Sequence, residues 1–135
     1  MQQNTSKYKV NLGTVQETLF MTLWARGTEA GKPDPILKDT KSVEVMNQID
    51  YDFSKLATAT GSQIGICLRG QILDQWVQSF LKDNPDGIVV EIGAGLNTRF
   101  ERVDNGSVRW FDLDLPDAIA SARKLFSRMR YAFRR

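Results

Sequence analysis

The stretch from Gly87 to Asp117, GIVVEIGAGLNTRFERVDNGSVRWFDLDLPD, constrains this chain more than any other, because two short apolar runs in it each close on an acidic residue. Ile88, Val89, Val90 and Ile92 follow the turn signal Asn84-Pro85-Asp86-Gly87, and such a β-branched run predicts a strand buried on both faces. Gly93 and Gly95 fall where that strand must turn sharply into a helix, and a missing Cβ lets another group approach the backbone closely. Val108 to Leu113 predicts a second strand, with Asp112 and Asp114 at its end. The fifteen residues between Ile92 and Val108 suffice for the crossover that a parallel pair requires.

Ligands of an open parallel sheet bind outside the carboxyl ends of its strands. There the glycine turn can lie against an adenosyl group, while a carboxylate ending the neighbouring strand, about twenty residues on, can accept hydrogen bonds from both ribose hydroxyls. A dinucleotide fingerprint would place a third glycine at Thr98, and none is there. Glu91, two residues before the first glycine, can instead pair with the ammonium of a methionine-like moiety, which favours S-adenosylmethionine. The competing reading is a glycine pair needed only for tight strand-to-helix packing. Alternation puts Asp112 and Asp114 on the same strand face, and Asp114 lies nearer the strand end.

Val90 to Arg99, VEIGAGLNTR, followed by Trp110 to Pro116, WFDLDLP, resembles the leucine carboxyl methyltransferase group, which includes polyketide O-methyltransferases of the tetracenomycin type. Asp34-Pro35-Ile36-Leu37-Lys38-Asp39 is similar to that family's segment after its first helix. The resemblance implies a Rossmann-like class I methyltransferase fold, α/β with an N-terminal helical cap over the donor site. It implies S-adenosylmethionine as cofactor and methyl transfer to the oxygen of a carboxylate or hydroxyl, on a small molecule or a protein C-terminus. It assigns Arg69 to the donor's carboxylate, Asp114 to the ribose, and Arg99 to the family motif. At Asn97 the family usually has Asp. Family chains are longer and their sheet has more strands, so the resemblance implies a chain truncated after the second parallel strand.

Upstream, Thr14-Val15-Gln16-Glu17 has the spacing of a capping box after a polar leader over residues 1 to 13. The helix it opens carries Leu19, Phe20, Leu23 and Trp24 on one core face and is expected to stop near Gly27. Gly31-Lys32-Pro33-Asp34-Pro35 is a loop. A weaker helical pattern runs from Lys41 to Leu56. Ile64 to Leu68 is a short apolar run, after which Arg69-Gly70-Gln71 leads into an amphipathic helix bearing Ile72, Leu73, Trp76, Val77, Phe80 and Leu81 that packs on the sheet. Arg69 at a helix start gains nothing from the dipole, so a function there needs a partner, and a guanidinium can hold a carboxylate bidentately. Asp74, five residues on, reads as a solvated or structural acid. Arg99 and Arg102 follow the glycine turn on the crossover helix with Glu101 between them as a local charge balance, and Arg99 is expected to hold neighbouring loops rather than to contact the donor. Pro116 and Asp117 suit the first turn of a last helix.

Three regions result: the leader over 1 to 13, a helical cap region over 14 to 82, and a first βαβ unit over 83 to 135 with a basic C-terminal helix. The donor-binding set is Arg69, Glu91, Gly93, Gly95 and Asp114, with no catalytic and no metal-binding residue assigned. With one cysteine, Cys67, and no histidine, an intrachain disulfide, a cysteine metal cluster and a Ser-His-Asp triad are excluded for these residues. No apolar run reaches the roughly 20 residues of a membrane span, so cytoplasm is the expected compartment and a membrane is not an expected partner. The final fifteen residues carry Arg123, Lys124, Arg128, Arg130, Arg134 and Arg135 without an acid, and they alone turn a net acidic sequence into one of formal charge +2. Their aromatics could stack on bases, but no nucleic-acid motif accompanies them, so nucleic acid is not an expected partner either. A nicotinamide oxidoreductase and a non-catalytic adenosyl-binding or interaction remnant are the rival functions.

Overall fold

A computed structural model describes residues 7–9 and 17–127. The capping box at Thr14, most of the leader, and the basic residues from Arg128 onward lie outside the described residues. The described chain is mixed helix and strand: α1 (Glu17–Ala30), α2 (Thr40–Gln48), a 3-10 turn (Phe53–Leu56), α3 (Thr60–Asp83), β1 (Ile88–Ile92), α4 (Arg99–Val103), β2 (Arg109–Leu113) and α5 (Pro116–Ser127). β1 and β2 pair in parallel, with Val90 opposite Phe111 and Glu91 opposite Asp112. A parallel pair needs a crossover connection, and α4 lies in it.

The core lies among the helices rather than against the sheet. Phe20 and Leu23 of α1, Val45 of α2, Ile49, Leu96 of the glycine turn, and Ala122, Leu125 and Phe126 of α5 form one buried cluster. Apolar residues of α1 recur at helical spacing, and the helix continues through Gly27 to Ala30 instead of stopping there. A side chain at Gly27 would collide with Met46 Sδ, so this glycine lets α2 lie close against α1 rather than ending the helix.

The expected helix from Lys41 to Leu56 breaks after Gln48. Ile49 turns extended, its neighbours Gln48 and Asp50 bond the backbone of Tyr8, and Asp52 caps the 3-10 turn through the Ser54 amide. The break lets Tyr51 and Phe53 stack around Phe20, with ring centroids 4.7 and 5.8 Å from it. On a continuous helix the two rings, two residues apart, would point to nearly opposite faces and could not both reach one partner.

Two further expectations are corrected. Ile64 to Leu68 is not separate from the helix after it, since α3 runs unbroken for 24 residues from Thr60 to Asp83 and Arg69 stands in its middle. Gly70 does not break it: the glycine is buried, and a Cβ there would sit 3.0 Å from Leu37 Cδ2, so close packing retains it. The strands are also not buried on both faces. Ile88, Val90, Phe111 and Leu113 are about half exposed and Ile92 is 84% exposed, while Val89, Glu91, Trp110 and Asp112 face inward and are partly covered. On α3 the amphipathic expectation holds in part: Leu81 is buried and Leu73 and Val77 are half-buried, but Ile72, Trp76 and Phe80 remain exposed. Among the described residues, no helix is long and apolar enough to cross a membrane.

Candidate functional site

β1 delivers Glu91 and Ile92 to the turn Gly93-Ala94-Gly95-Leu96-Asn97, after which Thr98 opens α4. Gly93 and Gly95 have φ of +69° and +54°, in the left-handed region where a Cβ is disfavoured. The two differ in what surrounds them. A Cβ on Gly93 would meet nothing within 4 Å, whereas one on Gly95 would lie 2.6 Å from Leu19 Cδ2 of α1. Gly93 thus keeps an open approach, and Gly95 serves the packing of α1 on the turn.

A cleft of about 530 Å³ opens in front of this turn, between α1, α3 and the end of β1. Arg69, Glu91, Gly93 and Gly95 all line it. Asp114 does not line it: it stands just beyond β2, where Oδ2 accepts a 2.6 Å hydrogen bond from the Gly95 amide and Oδ1 one of 2.7 Å from the Leu115 amide. Asp112 is held differently: its Oδ1 accepts from Trp110 Nε1 at 2.8 Å, and burial raises its carboxyl above the usual range despite that bond. Of the two acids only Asp114 touches the glycine turn.

Arg69 is exposed and, among the described residues, has no ion-pair or hydrogen-bond partner. The other three arginines of the cleft are engaged. Arg99 Nε donates to Asp74 Oδ1 at 2.9 Å, and its Nη1 to Glu91 Oε1. Arg102 donates to both oxygens of Asp74, to Thr98 Oγ1 at 2.9 Å, and pairs with Asp39 at 2.9 Å. Arg26 of α1 is buried and donates through Nε to Asp39 at 3.0 Å and through Nη2 to the Leu96 carbonyl at 2.8 Å. A cleft in which one guanidinium stays available can take a carboxylate there.

Glu91 is not a bare acid. Its Oε1 also accepts from Asn97 Nδ2, and Asn97 Oδ1 in turn accepts the Thr98 and Arg99 amides that open α4. An aspartate at 97 could accept those two amides but could not donate to Glu91, so this departure from the family pattern has a local use. Burial, aided by the nearby Asp112 charge, raises the Glu91 carboxyl above its ordinary value against the opposing pull of Arg99 and Asn97.

Sequence reasoning missed four residues of this arrangement. Asp74 is the structural rather than the solvated acid: it is buried and is the shared anion of Arg99 and Arg102. Glu101, between those arginines, is exposed, and Arg99, expected to hold neighbouring loops, ties α4 to α3 through Asp74 and to β1 through Glu91. Thr98, noted as a glycine that is not there, is buried and donates to Asp39 Oδ2 at 2.5 Å. Asp39 and Arg26 complete the set. One signal was available for each of these two: Arg26 follows Leu23 by three residues on the apolar face of α1, and Asp39 precedes Ser42 at N-cap spacing. Asp39 is wholly buried; burial would raise its carboxyl, but Arg102 and Arg26, with the hydroxyls of Ser42 and Thr98, outweigh that and hold it below the usual range.

No protein-family model matches the chain. Two relatives do. The chain is 38% identical, over 87% of its length, to the tetracenomycin polyketide synthesis O-methyltransferase TcmP of Streptomyces glaucescens, of which it covers 44%. It is 31% identical, over 88% of its length, to the S-adenosyl-L-methionine-dependent methyltransferase dpfgK of Gibberella zeae, of which it covers 43%. The chain therefore spans less than half the length of the relatives it matches. Over the stretch it spans, this chain is homologous to O-methyltransferases of the tetracenomycin type.

Proposed function

We propose that the cleft binds S-adenosylmethionine and that the chain forms the donor-binding part of a Rossmann-like O-methyltransferase. The observation that carries the reading is the gathering of an unpartnered Arg69, a bare Gly93 facing open space, and Glu91 in one cleft, with Asp114 bonded to the same turn. Arg69 takes the donor's carboxylate as a bidentate pair. Gly93 admits the adenosyl group against the backbone. Glu91, with Oε1 committed to Arg99 and Asn97, faces the ammonium with its remaining lone pairs. Asp114, fixed by two backbone amides, accepts from the ribose hydroxyls.

When bound, the cofactor supplies a sulfonium methyl for in-line displacement by an acceptor oxygen. What the chain contributes is positioning of that donor, the larger share of catalysis when two bound reactants must meet. A carboxylate acceptor is already ionised, whereas a phenol or alcohol needs a general base, and none of the donor-binding residues is suited to that part. The acceptor in this reading is a small molecule presenting a hydroxyl or carboxylate, in keeping with the polyketide named for one relative. A dinucleotide loses support at Thr98, where a hydroxyl bonded to Asp39 stands in the place of the third glycine.

Titration of the purified chain with S-adenosylhomocysteine tests the proposal, by calorimetry and by thermal melting. A ligand that binds only the folded state raises the midpoint. Saturable binding with an upward shift is expected; a cooperative melt that millimolar ligand leaves unmoved, with no heat of binding, overturns the reading. Donor binding without transfer is the second reading, favoured by the open apolar face of β1 and β2, and a methyl-transfer assay on phenolic and carboxylate acceptors separates the two.

A further inference from the structure

Asp39 makes more polar contacts than capping a helix requires. Its Oδ1 accepts the Ser42 amide at 3.0 Å, which is the N-cap bond of α2. Its Oδ2 has nothing to do with that cap: it receives Arg26 Nε at 3.0 Å, Ser42 Oγ and Thr98 Oγ1 each at 2.5 Å, and Arg102 Nη1 at 2.9 Å. The second set leads to the glycine turn. Arg26 passes from Asp39 to the Leu96 carbonyl, and Thr98 carries the next turn residue but one to the same oxygen. The turn is thereby gripped from behind at Leu96 and Thr98, while its front, Gly93, faces the cleft.

We propose that Asp39 and Thr98 are positioning residues for the glycine turn, presetting the backbone that receives the donor although neither lines the donor cleft. This rests on the proposed function above. Two glycines with positive φ within three residues supply no stiffness of their own, since glycine has the widest backbone freedom of any residue. An unclamped turn would have to be ordered by the ligand, and that ordering would come out of its affinity. A buried anion that commits one oxygen to α2 and the other to the turn removes that cost before the ligand arrives. The Asp39 site is also the structural reason that a threonine hydroxyl, not a glycine, is needed at 98.

The test compares the full chain with Thr98→Val, which keeps the volume and removes the hydroxyl, Thr98→Ser, which restores it, and Asp39→Asn. Leu81→Ala in α3, a buried position outside both the cluster that holds Leu96 and the lining of the cleft, serves as a core control. Two readouts are taken: S-adenosylhomocysteine affinity by calorimetry, and hydrogen exchange of the amides from Gly93 to Arg99 without ligand. Thr98→Val is expected to weaken binding about tenfold and to speed exchange at the turn, with Thr98→Ser recovering both, while Leu81→Ala lowers the melting point without changing affinity. Should Asp39→Asn fail to fold, Thr98→Val and Thr98→Ser decide alone. Equal affinity and equal turn exchange in wild type and Thr98→Val overturn the inference. If the wild type does not bind S-adenosylhomocysteine, the proposed function falls, and turn exchange alone decides the clamp: faster in Thr98→Val but not in Thr98→Ser upholds it, and no difference refutes it.

Discussion

Replacing each turn glycine by alanine should separate backbone strain from collision, and the two positions should rank oppositely in stability and in binding. At Gly93, with φ of +69° and no atom within 4 Å of the added methyl, only the left-handed backbone is at issue, about 1–2 kcal/mol. At Gly95 the same backbone term applies, and the methyl also lands 2.6 Å from Leu19 Cδ2. Overpacking costs about 1–3 kcal/mol, and the lower end applies because the struck atom is the tip of a flexible side chain. Gly95→Ala should therefore be less stable than Gly93→Ala by about 1 kcal/mol, a factor of about five in the unfolding constant. Urea denaturation followed by tryptophan fluorescence measures both midpoints. Binding should invert the order: the methyl of Gly93→Ala occupies the donor's approach, so this more stable variant should show the greater loss of S-adenosylhomocysteine affinity relative to its stability change. Equal destabilisation at the two positions would refute the packing argument, and undiminished affinity in Gly93→Ala would refute the open-approach argument.

Leu23→Ala removes a side chain with no exposure at the centre of the helical core and should cost about 2–5 kcal/mol, read as a fall in the urea midpoint. Arg69→Ala should leave the melting point of the ligand-free chain in place, since the guanidinium has no partner there, and should weaken S-adenosylhomocysteine binding by about 10- to 100-fold, the worth of hydrogen bonds to a charged group. Asp39, depressed below its ordinary 3.8, stabilises the fold above that pH and loses the contribution as pH falls through its lower folded value; Asp39→Asn should flatten the acid limb of a stability-versus-pH curve, and an unchanged limb would contradict the ion pairs. Burial pushes the Cys67 thiol up to about 11, so iodoacetamide at neutral pH should label it only in denaturant.

The parts of this molecule that were legible in its sequence are those whose signal is local. A β-branched run after a turn, two glycines and a following acid suffice to place β1, the sharp turn and Asp114, because strand formation, positive φ and strand-end geometry are all decided within a few residues. What was misread depends on partners far along the chain. Arg69-Gly70 looked like a helix start because glycine weakens helices, and only the approach of Leu37 explains why one is kept mid-helix. Asp74 stays open between a solvated and a structural acid in the sequence, because its cations, Arg99 and Arg102, lie 25 and 28 residues away. Thr98 was noticed only for what it is not, since its acceptor is 59 residues upstream. The exposed faces of β1 and β2 could not be read at all: a β-branched run says what a strand would bury, not what stands beside it.

The core cluster also fixes an order of events. α1 and α2 are neighbours along the chain and can meet early, but the space between them is closed by Leu96 and then by Leu125 and Phe126, which follow only after both strands have been made. Tyr51 and Phe53 already flank Phe20, but until α5 docks the cluster lacks the cover that Leu125 and Phe126 supply. Contacts of such sequence separation form slowly, so a chain emerging from the ribosome carries an incompletely covered helical pair through the synthesis of its βαβ unit, and the docking of α5 completes the cover.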